Sequence, residues 1–170
     1  IDKIRGIKEL VRAMGKIKSN TMLNLCGIVG DKNTEKEVKA EIGWSQIIEY
    51  GFINRENVKN VLNRSFAGIV TLHPIINYLD ALPVKMFEYM SAGIPVIASN
   101  FPLWRDIIEG NNCGICVDPL NPNKIAEAID YLFMHPEQAE IMGNNGRKAV
   151  ENQYNWADEE KKLFKFYKNL

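Results

Sequence analysis

The sequence has little of what would indicate a nucleic-acid-binding, secreted or membrane-spanning protein. Lys plus Arg and Asp plus Glu are equal at 21 each, so the basic excess typical of nucleic-acid binders is missing. No apolar run approaches the roughly 20 residues that a membrane-spanning helix needs. Residues 1–10 alternate charged with apolar side chains and do not resemble a signal peptide. We therefore expect no nucleic-acid partner and no transmembrane segment.

Cysteine is also scarce. An odd number of cysteines without a secretion signal indicates reduced thiols and a cytoplasmic protein. Cys113 and Cys116 have C-x-x-C spacing, but a redox pair belongs at a helix N-terminus and these two fall in a predicted strand. Zinc would need two further ligands, which only Cys26, His73 and His135 could supply. We expect structural thiols and no metal site.

The overall amino-acid composition is typical of a globular domain. The chain has 170 residues, of which 46% are apolar and 25% charged, enough for one domain with a sizeable core. It begins at Ile1 and enters a helical pattern almost at once, which we interpret as a fragment of a longer protein.

Segments typical of strands and helices alternate along the chain. The pattern predicts strands at 21–29, 46–50, 67–72, 94–98 and 114–117, and helices at 4–14, 32–42, 55–63, 83–92, 102–109, 122–134, 136–152 and 156–168. The predicted strands are not spaced as hairpins, so we expect them to be joined by right-handed crossovers and to form a parallel sheet. The predicted fold is α/β, a Rossmann-like doubly wound parallel sheet with helices on both faces.

Ligands of such sheets bind beyond the carboxyl ends of the strands, and the loop at 73–83 is the longest there. We expect Pro83 as the first residue of the next helix and Gly93 as its end. Lys85 in the first turn opposes the helix dipole unless an anion binds there. Glu88, three residues on, shares its face and suits ribose hydroxyls. An exposed Lys85–Glu88 ion pair is the alternative interpretation.

The segment from Ala67 onward resembles the donor-binding domain of retaining GT-B-fold glycosyltransferases of the family 4 type. That group carries two acidic residues separated by seven, small residues, then Gly-x-Pro-Val and a strand. The matching residues are Asp80, Glu88, Ala92, Gly93, Pro95 and Val96. The segments 107–110, 113–122 and 154–156 also match, and Arg5-Gly6 stands where the family usually has Lys-Gly.

The resemblance implies a function for each site residue. Glu88 would hold the ribose, Asp80 the transferred sugar, and Arg5 and Lys85 the diphosphate; Pro83 and Val84 would bind the sugar donor at the helix start. The catalytic residues would be Asp80, Lys85 and Glu88. Cations beside a leaving diphosphate stabilise the transition state and can replace a divalent metal, so we expect no cofactor.

The resemblance also implies a domain organisation. Residues 1–170 would be the C-terminal half of a GT-B enzyme without its first strand, and the N-terminal acceptor domain would be absent. We expect the chain alone to transfer little or no sugar. The intact enzyme would use a glycan or lipid-linked acceptor on the cytoplasmic side, with peripheral contact at the inner membrane face.

The sequence departs from the family at two points. The first acidic position is Asp80, whose side chain is shorter than that of the commoner Glu. Residues 81–85 replace a glycine-rich turn, so Lys85 would make the contacts to the sugar donor that backbone amides of this loop make elsewhere in the family. Two other functions stay open, a GT-B-type sugar-nucleotide epimerase or hydrolase and a non-catalytic flavodoxin-like or receiver-like domain.

Three further residues or segments have two interpretations each. His73 is a structural histidine or a contact of the sugar donor. Trp104 is a core anchor or stacks on the base. The final helix, with Leu163, Phe164 and Tyr167 at helical spacing, presents either a core-facing stripe or one that is partly exposed here, because this region crosses back to the other domain in the enzymes that the sequence resembles.

Overall fold

The computed structural model describes residues 1–168, in which strands and helices alternate. The strands are β1 (Leu23–Cys26), β2 (Ile47–Gly51), β3 (Gly68–Val70), β4 (Val96–Ser99) and β5 (Gly114–Val117). The helices are α1 (Ile7–Met14), α2 (Lys32–Lys39), α3 (Arg55–Leu62), α4 (Ile76–Leu79), α5 (Val84–Ala92), α6 (Pro102–Ile108), α7 (Pro122–Met134), α8 (Pro136–Asn152) and α9 (Trp156–Lys168). Short 3₁₀ turns occupy Lys3–Arg5 and Ile42–Gln46. Each predicted strand and helix is present, most of them a few residues shorter than expected.

All strand ladders in the described residues are parallel, and they form two sheets. β1 pairs with β2, while β3, β4 and β5 pair in that order. Between residues 1 and 168 no ladder joins β1 to β3. The predicted α/β fold with parallel strands is confirmed, but the sheet is divided at this point.

Apolar side chains bury both faces of the central strand β4. Val96, Ile97 and Ala98 have no exposed surface, because Ile97 faces the α1 and α7 side and its two neighbours face the α5 and α6 side. Strands covered on both faces are continuously apolar for this reason. Helices on both faces agree with the prediction of a doubly wound domain.

Trp104 belongs to the core. Its side chain is fully buried, and its indole Nε1 donates a hydrogen bond of 2.6 Å to the carbonyl oxygen of Ala81. It anchors the loop that leads into α5 to helix α6. The interpretation of Trp104 as a stacking platform for a base is therefore wrong.

The start of α5 differs in detail from the prediction. Pro83 has a ψ of 125°, an extended conformation, so it is the N-cap and Val84 is the first helical residue. A preset φ suits either position, and the chain uses the extended ψ of Pro83 to turn out of the loop. The loop before it, predicted as irregular, contains the single turn α4. Gly93 ends α5 in a left-handed conformation, as expected.

The stripe on α9 does not face a core. Trp156 is 70% exposed and Phe164 59%, and no residue of Trp156–Lys168 is buried. The prediction of a core-facing stripe is wrong, because no other element within residues 1–168 covers this helix face. None of the helices in that part of the chain combines the length and apolar character needed to cross a membrane.

Candidate functional site

One cavity of about 920 Å³ runs along β1 and β3 and reaches the carboxyl ends of both strands. At this end it is bordered by Arg5, Thr71, Lys85 and Glu88, which come from the 3₁₀ turn before α1, the residue after β3 and the first turns of α5. The site therefore lies where parallel α/β sheets place their ligands. Three of the residues predicted from the sequence border this site, namely Arg5, Lys85 and Glu88.

A tight turn at residues 2–6 places Arg5 beside β3. Asp2 Oδ1 accepts a hydrogen bond of 3.1 Å from the Arg5 amide and caps the start of the turn. Gly6 has a φ of 73°, and a Cβ there would lie 2.1 Å from the carbonyl oxygen of Thr71. Only glycine combines that backbone conformation with so close an approach. The Arg5 side chain is 60% exposed at the cavity mouth, 3.4 Å from Asp2.

His73 fixes this turn to the loop after β3. Its backbone N–H donates to the carbonyl of Ile4 at 2.9 Å. Its ring Nε2 lies 2.9 Å from Glu9 Oε2, and both side chains are only 17% exposed. With both contacts satisfied inside the protein, the structure favours a positioning role for His73 over direct contact with a ligand.

Lys85 and Glu88 form an ion pair on the exposed face of α5. Lys85 Nζ lies 2.8 Å from Glu88 Oε2, with the side chains 62% and 41% exposed. Pro83 offers no side-chain cap, so the first amides of α5 stay available to an anion. Two cations and a carboxylate thus border one opening, and Lys85 lies in the first turn of α5.

The ion pair alone does not identify a site. Lys124 and Glu127 on α7 have the same spacing, a separation of 2.6 Å and similar exposure, at 56% and 62%. Such surface pairs contribute about 0.5 kcal/mol or less to stability. What distinguishes Lys85 and Glu88 is the cavity that they share with Arg5.

The other three predicted site residues lie outside the lining of this cavity. Asp80 is exposed at the end of α4, Pro83 is the N-cap of α5, and Val84 is 69% exposed. The structure brings together Arg5, Lys85 and Glu88 and leaves Asp80, Pro83 and Val84 along the loop beside them. Their roles toward the sugar donor stay predictions.

Sequence reasoning missed the contact that sets the position of α5. The ring of Tyr89 packs on the backbone of Gly68, where a Cβ would lie 2.2 Å from the ring. Burial, assisted by the charge of Glu88, raises the pKa of the Tyr89 hydroxyl to about 12. A glycine inside a predicted strand is the signal that could have indicated such a close approach.

Cys113 is buried directly before β5, and Cys116 is partly buried within that strand. Burial raises the pKa of Cys113 to about 11 and that of Cys116 to about 12. Thiolates are the reactive form, so neither side chain suits redox chemistry at neutral pH. Within residues 1–168, no three His, Cys, Asp or Glu side chains are grouped to hold a metal ion.

These thiols give a direct chemical prediction. With a pKa of about 11 for Cys113 and a still higher one for Cys116, at most about one thousandth of either thiol is ionised at pH 8. Iodoacetamide at pH 8 should therefore label the exposed Cys26 first, as read by mass spectrometry. In denaturant all three should react alike, and labelling of native Cys116 as fast as Cys26 would contradict this account.

The fold is that of the glycosyltransferase domains of the GT-B type. Sucrose-phosphate synthase from Thermosynechococcus elongatus superposes with a TM-score of 0.84 at 25% identity, over 99% of this chain and 43% of that one. HepE of Anabaena, solved in complex with UDP, superposes with a TM-score of 0.85 at 13% identity, over 99% of this chain and 46% of that one. The second likeness concerns the fold alone.

The chain belongs to the family described as glycosyl transferases group 1, whose profile matches residues 1–149. An uncharacterized glycosyltransferase of Methanocaldococcus jannaschii is 28% identical over 167 residues. That alignment covers 96% of this chain but 42% of the relative, so the chain spans less than half of its length. These matches do not favour the epimerase, hydrolase or non-catalytic alternatives.

Proposed function

We propose that this chain is the sugar-donor-binding domain of a retaining glycosyltransferase of the family 4 type, which transfers a hexosyl group from a nucleoside-diphosphate sugar. The observation that carries the proposal is the convergence of Arg5, Lys85 and Glu88 on one cavity at the start of α5. The complex of HepE with UDP is that of a relative in fold, and it supports a nucleotide ligand for such domains.

The diphosphate would bind between the two cations. The free amides and the positive dipole end of α5 attract an anion, and Lys85 and Arg5 add full charges at the same opening. When the bond between the sugar and the diphosphate breaks, negative charge grows on the leaving group. Cations fixed beside that charge stabilise the transition state, and we propose that transfer needs no divalent metal.

The nucleoside would bind one turn further along α5. Glu88 accepts hydrogen bonds with both carboxylate oxygens, and two adjacent ribose hydroxyls can donate to it. In the ligand-free protein the same carboxylate holds Lys85 at 2.8 Å. Binding would exchange this exposed ion pair for two contacts, Lys85 with phosphate and Glu88 with ribose.

The acceptor would bind mainly to a second domain of the intact protein. The relatives in sequence and fold are more than twice as long as the matched region, which leaves room for such a domain. A glycan or lipid-linked acceptor, approached at the cytoplasmic membrane face, remains our proposal from the family resemblance. We expect residues 1–170 alone to show no transfer.

Transfer itself tests the proposed function. The intact protein, incubated with UDP-, GDP- or ADP-hexoses and a membrane extract as the acceptor source, should move radiolabel from one of them into glycan or lipid. EDTA should change the rate by less than about twofold, because Arg5 and Lys85 supply the charge. An anomeric proton spectrum of the product should show the configuration of the sugar donor. Loss of activity in EDTA or an inverted product would contradict the proposal.

Asp80 should act on transfer and not on nucleotide binding. It lies outside the cavity lined by Glu88, so Asp80→Asn should leave the affinity for the free nucleoside diphosphate within about twofold. Its proposed hydrogen bond to the transferred sugar is worth about 1.5–3 kcal/mol for a charged acceptor, so kcat/KM should fall about 10- to 100-fold. Equal losses in both measurements would show that Asp80 belongs to the nucleotide site.

A further inference from the structure

The carboxyl end of α5 is capped from another helix, α8. The last four carbonyl groups of an α-helix have no partner within the helix itself. In α5 the first two of these four accept from backbone amides that follow the helix. The Gly93 N–H donates to Met90 at 2.9 Å, and the Ile94 N–H donates to Tyr89 at 3.2 Å. The last two carbonyl groups need a hydrogen-bond donor from elsewhere in the protein.

Arg147 of α8 supplies that hydrogen-bond donor. Its Nη2 donates to the carbonyl of Ala92 at 2.9 Å, and its Nε donates to the carbonyl of Ser91 at 3.4 Å. The planar guanidinium presents both N–H groups in one rigid fork, which the ammonium of a lysine does not. Since α5 has no basic residue in its own last turn, Arg147 also places a positive charge at the negative end of the helix dipole.

Two glycines allow α8 to approach this end of α5 closely. A Cβ at Gly93 would lie 2.6 Å from Arg147 Nη2. A Cβ at Gly143 of α8 would lie 2.1 Å from the Gly93 carbonyl oxygen. The backbones of the two helices therefore meet at the end of α5, and the position of α8 constrains that of α5.

The other contacts of α5 do not by themselves fix its tilt. Its two fully buried side chains are Met86 and Met90, and flexible methionines adapt to small shifts of a helix. The ring of Tyr89 on Gly68 holds the middle of the helix, but a helix held at one point can still tilt. Arg147 holds a second point. Because α5 has nine residues and is about 13 Å long, a change at this end is carried along the helix to its first turn.

The tilt of α5 matters for the phosphate site, because the two cations of that site come from different elements. Arg5 lies on the turn at residues 2–6, which Gly6 and His73 hold against the end of β3. Lys85 lies on α5, so its distance from Arg5 depends on how α5 is tilted. Glu88 shares α5 with Lys85 and moves with it.

We propose that Arg147 is a positioning residue of the phosphate site. By capping the carboxyl end of α5, it fixes the tilt that holds Lys85 across the cavity from Arg5. No residue of α8, Pro136–Asn152, lines the cavity, so Arg147 acts through α5 and does not touch the sugar donor. The inference rests on the proposed sugar-donor site and adds to it a residue outside the cavity.

Titration of the intact protein with inorganic pyrophosphate tests this role. Arg147→Met should weaken pyrophosphate binding about tenfold, an effect typical of residues that act on a site without touching its ligand. Arg147→Lys keeps the charge and can reach one carbonyl at a time, so it should weaken binding by no more than about threefold. Urea denaturation checks that each variant is folded at the temperature of the titration.

Asn145 on the same helix is the matched control. Its Nδ2 donates at 3.1 Å to the carbonyl of Asn112, which precedes β5 and lies away from α5. Asn145→Ala therefore removes the same kind of contact, from a side chain of α8 to a backbone carbonyl. It should leave the affinity for pyrophosphate within about twofold of the wild-type value.

A double variant separates positioning from a general loss of stability. On an Arg5→Met background the second cation is absent, so its distance from Lys85 no longer affects binding. Arg147→Met should then change the affinity for pyrophosphate by less than about twofold. A merely structural role for Arg147 would weaken binding by the same factor on both backgrounds.

The outcomes distinguish this inference from the proposed function. Wild-type affinity in Arg147→Met, or equal losses on both backgrounds, would overturn the positioning role alone, provided that Lys85→Met still loses pyrophosphate binding. Failure of the wild-type protein to bind pyrophosphate would overturn the proposed phosphate site and the positioning role together.

Discussion

Glu88→Gln should lower the affinity for the cognate nucleoside diphosphate by about 10- to 100-fold, since it removes the charge from an acceptor of two hydrogen bonds worth about 1.5–3 kcal/mol. Lys85→Met should cause a loss of similar size by removing a cation from the phosphate site. Both side chains are well exposed, so the free energy of unfolding should change by less than about 0.5 kcal/mol. Isothermal titration and urea denaturation measure the two quantities.

The two variants should differ in which part of the ligand they stop recognising. Wild-type protein should prefer a ribonucleotide to its 2′,3′-dideoxy analogue, and Glu88→Gln should abolish that preference. The same variant should retain binding of inorganic pyrophosphate, because Lys85 loses its competing partner at 2.8 Å. Lys85→Met should lose pyrophosphate binding and keep the preference for ribose.

The chain supplies a matched control for this experiment. Lys124 and Glu127 form an ion pair with the same three-residue spacing and similar exposure on α7, away from the cavity. Lys124→Met and Glu127→Gln should leave nucleotide affinity unchanged. If both pairs behave alike, Lys85 and Glu88 are a surface ion pair and the site lies elsewhere.

Gly68→Ala should lower the free energy of unfolding by about 2–3 kcal/mol. The new Cβ would lie 2.2 Å from the ring of Tyr89, and other atoms of the ring lie at 2.3 Å and 2.7 Å. The nearest atom is Cγ of Tyr89, at the base of the ring, so the ring cannot move aside without moving α5, and the added methyl group overpacks this contact. The midpoint of thermal unfolding should fall by roughly 5–10 °C.

A control and a double variant separate this clash from a general effect of alanine. At Gly30 the nearest atom to a new Cβ is the Ile1 carbonyl oxygen at 4.0 Å, so Gly30→Ala should be close to neutral. On a Tyr89→Ala background the ring is absent, and Gly68→Ala should cost less than about 1 kcal/mol. An equal cost on both backgrounds would contradict the assigned contact.

The strands were predictable because their local pattern matches their burial. Residues 94–98 are apolar and directly follow Gly93, and β4 is buried on both faces as such a run requires. The gap between β1 and β3 was not predictable from the local pattern, and only the family resemblance led us to expect that a first strand would be missing. A free edge depends on which strands become neighbours, and no single segment encodes that relation.

The site was predictable where spacing on one helix decides the geometry. Lys85 and Glu88 share a face of α5 because residues three apart do so on any helix. Arg5 came from the family resemblance, since its approach to β3 depends on the left-handed Gly6 and on His73 more than 60 residues away. Asp80 precedes the helix, and the turn α4 determines where it lies.

Trp104 shows where residue type alone was insufficient. An indole suits both a base and a core, and its N–H needs a partner in either setting. The hydrogen bond to Ala81 and the full burial of the ring decide between them. Similarly, the apolar residues of α9 have helical spacing, but that spacing does not specify which surface covers them.

Isothermal titration of the intact protein with UDP, GDP and ADP, beside Lys85→Met, tests the central claim most directly. We expect saturable binding of one of the three nucleotides to the wild-type protein and at least about a tenfold weaker affinity in the variant. Absence of binding by all three, or equal binding by both proteins, would contradict the assignment of the cavity at Arg5, Lys85 and Glu88 as the site of the sugar donor.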